Sequence, residues 1–205
     1  MLEKITYSLH PARVVYTGHK SEMYDLIDGF VNAGTHHPRT TAHDFELATL
    51  PKGMAVLPFG PALVVNEALA MKLQLDWPGT FDLHEVRVLC GNDVVTAFLL
   101  RAAVALEATS DARIAVTPCP SSGEGIRITR VSPGLDYPAA FRVTFRPGGR
   151  PASEYDQHYE KQNFINDTLR LWWKRNRVGN SHIFPAIGQP GHEELWSRWW
   201  AENAR

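Results

Sequence analysis

The sequence predicts an α/β (α+β) fold, a mixed twisted sheet of about six or seven strands flanked by helices. A C-terminal tryptophan-rich helical hairpin completes it. Three observations predict this. Short runs of alternating apolar and polar residues recur through the first 147 positions. Helical runs fall between them, which is the order of a mixed sheet. Beyond "RPGGRPAS" the composition changes, and five of the six tryptophans lie there: Trp172, Trp173, Trp196, Trp199 and Trp200.

Taken in order, "KITYSLH" and "ARVVYTG" alternate and read as strands around Pro11. "SEMYDLIDGFVNAG" reads as a helix capped by Ser21, with Glu22 and Asp25 at its positive end and Gly34 as its stop. Tyr24, Ile27, Phe30 and Val31 form its apolar face. "HDFELATL" and "GMAVLPFG" read as two strands joined by a turn at Pro51-Lys52-Gly53, and Phe59-Gly60-Pro61 breaks the second. "VNEALAMKLQL" has helical propensity and "WPGT" ends it. "FDLHEVRVLC" is a strong strand. A helix from about Val95 to Ala108, a strand "ARIAVTP" and a strand "AFRVTFRP" follow. After the proline- and glycine-rich boundary, "YEKQNFINDTLRLWWKRNRVG" and "HEELWSRWWAENAR" read as the two helices of the hairpin. This divides the chain into a domain at 1–147 and an appendage at 148–205 packed on it, because large indole rings seek burial. No internal repeat or low-complexity tract is evident.

The 205 residues are 44% hydrophobic and 21% charged, ordinary for a globular chain, and at this size a core needs no staple. A formal net charge of -1 gives no global field for nucleic acid, so any charge-driven partner must use a local patch. Cys90 and Cys119 cannot make a disulfide framework. "MLEKITYSLHPARVV" places acidic and polar residues where a signal peptide needs an apolar core, and no apolar run reaches a membrane span. A cytoplasmic location without a membrane partner is expected.

Pro118-Cys119 after a buried strand raises zinc deamination. That chemistry needs a ligand and a catalytic Glu at the start of the preceding helix, then Pro-Cys-x-x-Cys. Here the preceding segment is "VVTAFLL" and the position three beyond Cys119 is Ser122. The "GTHHPRTTAHDFE" stretch gathers His36, His37, His43 and Asp44, but its spacing fits no metal motif and it reads as a solvated polar loop. No metal is expected.

The segment "FDLHEVRVLCGNDVVTAFLLRAAVALEATSDARIAVTP" reads as strand, loop, helix, strand. In that order it resembles the coenzyme-binding unit of the GNAT superfamily of N-acyltransferases. Phe59-Gly60-Pro61, Arg87 and Asn92 make it most similar to the Mom-like branch, phage proteins that modify DNA bases, over residues 50 to 140. The resemblance implies an acyl-CoA-dependent transferase, with acetyl-CoA or another acyl-CoA held at Leu89, Cys90, Asn92, Asp93, Val94, Val95 and Thr96. Main-chain amides at a helix start would carry the pyrophosphate. Glu85 would serve as base and Tyr137 as general acid, acting on a nucleic-acid base or a small amine.

Only Gly91 stands where the superfamily loop carries several small residues, and Cys119 where the branch has an Asp. These favour a second reading, a noncatalytic nucleic-acid- or protein-binding adaptor. Its contact surface would be "LRLWWKRNRVG", where Arg170, Lys174, Arg175 and Arg177 alternate with Trp172 and Trp173. Cations beside stackable rings suit single-stranded nucleic acid. The plainer outcome for such a helix is rings inward and charges in water.

Overall fold

The structure, a computed structural model, describes residues 4–11, 44–47, 54–57, 63–108, 110–118, 127–144 and 163–203. Twelve strands and three helices follow one another among the described residues. The strands β1 (Thr6–Pro11), β2 (Phe45–Leu47), β3 (Val56–Leu57) and β4 (Leu63–Asn66) lead into helix α1 (Glu67–Asp76). Next come β5 (Phe81–Cys90), β6 (Asp93–Ala102), β7 (Ala105–Glu107), β8 (Ile114–Pro118), β9 (Arg127–Val131), β10 (Ala140–Thr144) and β11 (Asn163–Asn166). Helix α2 (Asp167–Arg175), strand β12 (Ser181–Pro185) and helix α3 (His192–Asn203) close the series. The class is mixed α+β.

Two units interleave along the chain. Unit 1 holds Met1–Leu9, Val104–Arg175 and Ile183–Arg205; unit 2 holds His10–Ala103 and Asn176–His182. This division differs from the split at 147 that composition suggests. In place of one sheet there are two five-stranded sheets, β12-β1-β11-β10-β7 and β2-β5-β6-β4-β3, and a β8-β9 ribbon.

In unit 2, β5 and β6 turn one face to an apolar core. Val86, Val88, Ala97 and Leu99 project to it and join Phe45, Leu47, Leu57 and Val64 there. The parallel pairing of β2 with β5 puts β2 at one edge, while β3 pairs with β4 at the other. The hairpin expected from "HDFELATL" and "GMAVLPFG" is therefore not formed. Asn180 of the same unit donates from Nδ2 to the Val56 carbonyl at 2.7 Å, and the Val56 amide donates to the Gly179 carbonyl at 3.3 Å.

In unit 1, Leu106, Ile114, Val131, Phe141, Val143, Phe164 and Ala186 form the core. Tyr137, Phe141 and Phe164 stack in series at 4.9 and 5.2 Å. The turn at Gly188 closes on β9. A Cβ there would sit 2.9 Å from the Val131 carbonyl oxygen, and its φ of +93° already favours glycine. That close approach lets Gln189 Nε2 donate to the same oxygen at 2.8 Å.

Each unit contains the same substructure. In unit 2, β4 ends at Asn66, whose Oδ1 accepts the Leu69 amide at 2.9 Å and so caps α1. In unit 1, β11 ends at Asn166, whose Oδ1 accepts the Leu169 amide at 3.0 Å and caps α2. The two asparagine amides donate to the carbonyls of Ala55 and Ala139, at 2.9 and 3.0 Å. Strand β4 lies antiparallel between β3 and β6, with Val65 opposite Val56 and Phe98. Strand β11 lies antiparallel between β10 and β1, with Ile165 opposite Ala140 and Tyr7. The sheet orders β5-β6-β4-β3 and β12-β1-β11-β10 therefore correspond strand for strand. The chain order differs in one respect. The strand equivalent to β6, which ends the motif in unit 2, stands first in unit 1 as β1. The two copies are circular permutations of one another. "VVNEAL" and "FINDTL" are the segments that form the two strand ends and caps.

Three further sequence expectations change. The segment read as a helix from Val95 to Ala108 is strand β6, then β7. Val94, Val95 and Thr96 are β-branched, and alternate residues Ala97 and Leu99 enter the core, so a strand buries what a helix would leave outside. The long helix expected from 159 to 179 is reduced to Asp167–Arg175, because Phe164 and Ile165 are buried in β11. The tryptophan-rich hairpin is interrupted by β12, and the residues of α3 from Glu193 to Arg198 are exposed.

Candidate functional site

The expected coenzyme site lies on the β5–β6 hairpin. The two strands pair antiparallel over their whole length, from Phe81 opposite Ala102 to Cys90 opposite Asp93. Gly91 and Asn92 make the two-residue turn. Gly91 has φ 62° and Asn92 does not have a positive φ, which fits a type II′ turn with glycine first. Leu89 faces Val94, and Arg87 faces Thr96. No helix begins here, and the strands do not splay. The row of unpaired amides that a pyrophosphate needs is replaced by a hairpin ladder. Asn92, Asp93, Val94 and Thr96 are exposed, and Val95 packs beside the unit 2 core. Glu85 is exposed on the outward face opposite Phe98. Cys90 is half-buried, and burial, followed by the Asp93 charge, raises its thiol pKa. That keeps it a protonated, sluggish thiol.

Tyr137 sits in unit 1, in different surroundings from those expected of a general acid. Its hydroxyl lies 2.9 Å from the Arg113 carbonyl oxygen and 3.1 Å from that of Ser132, so its proton is committed to main-chain acceptors. Its ring stacks on Phe141, and the Arg113 guanidinium covers it at 5.3 Å. Desolvation by burial raises the phenol pKa further. The residue builds the core.

One edge of Tyr137 borders a cleft of about 250 Å³ with Lys4, Thr6, Asp136, Asn166 and Asp167. The charged groups there satisfy one another. Lys4 Nζ lies 2.5 Å from Asp136 Oδ1. Asp167 Oδ1 accepts Arg170 Nε at 2.8 Å and the Tyr7 hydroxyl at 3.3 Å. Arg170 also covers the Tyr7 ring at 4.7 Å. Its guanidinium is thus spent on holding α2 to β1.

The remaining candidate is the outward side of α2. Leu169 and Trp173 are buried and pin the helix inward. Trp172 stands half-buried, edge-on to Trp173 at 6.0 Å. Leu171 is 45% exposed, and Lys174 and Arg175 are exposed in the last turn, where the helix dipole favours cations. The expectation that all rings turn inward thus holds for Trp173 and only in part for Trp172. Arg177, exposed with φ 49°, belongs to unit 2. The sequence reading grouped four cations; α2 presents two of them outward.

Sequence reasoning missed the two cap asparagines and the Tyr7–Asp167–Arg170 cluster. An Asn followed by an acid and, three positions on, by a Leu was the available signal for the caps. Among the described residues, no group of three or more His, Cys, Asp or Glu is arranged to hold a metal ion. None of the described helices is long and apolar enough to cross a membrane. The strand at 12–18, the helix at 21–34, His36, His37, His43, the turns at 51–53 and 59–61, Cys119 and the boundary at 146–153 lie outside the described residues. No family model, curated protein or solved structure matches the chain.

Proposed function

We propose that the chain is a noncatalytic binding protein that grips single-stranded nucleic acid through the outward side of α2. The observation that carries this is the exposure of Lys174 and Arg175 beside Leu171 and the half-buried Trp172, on a helix anchored by Leu169 and Trp173. The cations take up phosphate charge, and the Trp172 indole gives a base a ring to stack on. A net charge of -1 fits this local mode, since the molecule carries no overall positive field. The acyl-CoA reading has weaker support, because the zipped β5–β6 hairpin offers no gap between Leu89 and Thr96 for a pantetheine arm.

Fluorescence anisotropy with a labelled single-stranded oligonucleotide tests the proposal. Binding is expected to weaken steeply with salt. It should be weakened sharply by Lys174→Ala with Arg175→Ala, and about 5- to 150-fold by Trp172→Ala if a base stacks there. No binding at low salt, or binding indifferent to the double substitution, would overturn it.

A further inference from the structure

We infer that the outward side of α1 is a self-association surface on which a second copy of this chain docks antiparallel. Helix α1 turns Leu69, Ala70 and Leu73 inward. Even so, it leaves Met71 63% and Leu75 80% exposed. These two side chains stand one turn apart and form an apolar strip. A cleft of about 280 Å³ lies at the C-terminal end of the helix, lined by Leu73, Gln74, Trp77, Pro78, Phe81 and Leu83. Its lining carries no formal charge. Among the described residues, buried Trp77 Nε1 has no hydrogen-bond partner.

The charges beside the strip identify the occupant. Lys72 Nζ and Asp76 Oδ2 lie 3.4 Å apart, one turn apart on one flank, in the order plus then minus. A two-fold axis perpendicular to the helix presents the same flank in reverse order. Lys72 then faces the partner subunit's Asp76, and Asp76 faces the partner subunit's Lys72. In this register, centred on Gln74, Met71 packs beside the partner's Leu75, one exposed apolar side chain against another. The strip thus complements itself in charge and sets apolar side chains against apolar side chains. A nucleic acid would find no net positive charge here, and a strongly charged protein would find nothing to match.

One helix face of this kind belongs to the small end of specific interfaces, below about 1,200 Å², so the dimer is weak and depends on concentration. Sedimentation velocity on the full chain, over a series reaching about 1 mM, reads it. The wild type should shift from monomer to dimer across the series. Leu75→Glu should stay monomeric and keep its oligonucleotide binding, which separates this inference from the role of α2. Lys72→Glu alone and Asp76→Lys alone should each be monomeric, because each dimer would set like charges against one another. An equal mixture of the two should recover the dimer. A misfolded variant could not produce that recovery. A wild type that remains monomeric, a dimer that survives Leu75→Glu, or a mixture that stays monomeric would each overturn the inference.

Discussion

Helices α1 and α2 hold equivalent places in the two units, yet they face water with different chemistry. Both start from an asparagine cap and an acidic first residue, and both bury the fourth and eighth positions counted from that cap: Leu69 and Leu73 in α1, Leu169 and Trp173 in α2. The sixth position is an exposed aliphatic in each, Met71 and Leu171. The helices part at the next outward turn. Gln74 and Leu75 of α1 stand where α2 carries Lys174 and Arg175. Inward positions serve the same packing in both copies, so they hold the same kind of residue. Outward positions carry no packing constraint and have been given different tasks, an uncharged strip in one unit and a basic one in the other.

Substitutions at matched positions test whether the two helices are built alike. The largest effect is expected at the shared inward position. Trp173→Ala should cost about 3–5 kcal/mol and Leu73→Ala about 2–5 kcal/mol, since both side chains are about 1% exposed. Denaturant unfolding measures both. A near-neutral result at one site would show that the two helices are not packed alike. The caps come next. Asn66→Ala and Asn166→Ala should each destabilise by about 1 kcal/mol, and Ser in place of Asn should recover part of the loss. Unequal losses would mean that one cap is ornamental.

The smallest effect concerns His182 of unit 2, whose pKa burial holds below the ordinary histidine value. Above about pH 6.5 the ring is neutral in both states and contributes no slope. As pH falls below that value, the unfolded chain takes up the proton first, so stability decreases until the folded ring titrates as well. His182→Gln should remove this part of the decline between pH 7.5 and the acid limb in thermal melts. An identical pH profile for variant and wild type would refute the burial effect.

How much of this was legible in the sequence depends on what fixed each element. "FDLHEVRVLC" was legible because Val86 and Val88 alternate with charged Glu85 and Arg87, the pattern of a half-buried strand. "VVTAFLLRAA" was not, because Phe98, Leu99 and Leu100 run together and serve both faces of the sheet. Such a run fits a helix as well as a strand. The residues that decide the matter are Gly91 and Asn92, a hairpin turn that reads equally well as the opening of a phosphate loop. In "NFINDTLRLWW" the helical propensity of the second half obscured β11, which exists because its partners lie far away in sequence at β1 and β10. The basic-aromatic stripe was legible as composition. Which of its cations face water was set by Tyr7, a residue at the other end of the chain that engages Arg170.

The central claim is that α2, and not its counterpart in unit 2, carries the nucleic-acid contact. The most direct measurement is the slope of log affinity against log salt for a single-stranded oligonucleotide, on the wild type and two variants. Lys174→Ala with Arg175→Ala removes two outward cations from α2, and Arg87→Ala removes one exposed cation from unit 2. The account predicts that the α2 variant loses about 1.4 in slope magnitude, roughly 0.7 per phosphate contact on a single strand, while Arg87→Ala matches the wild type. Equal slopes for wild type and α2 variant, or a loss confined to Arg87→Ala, would contradict it.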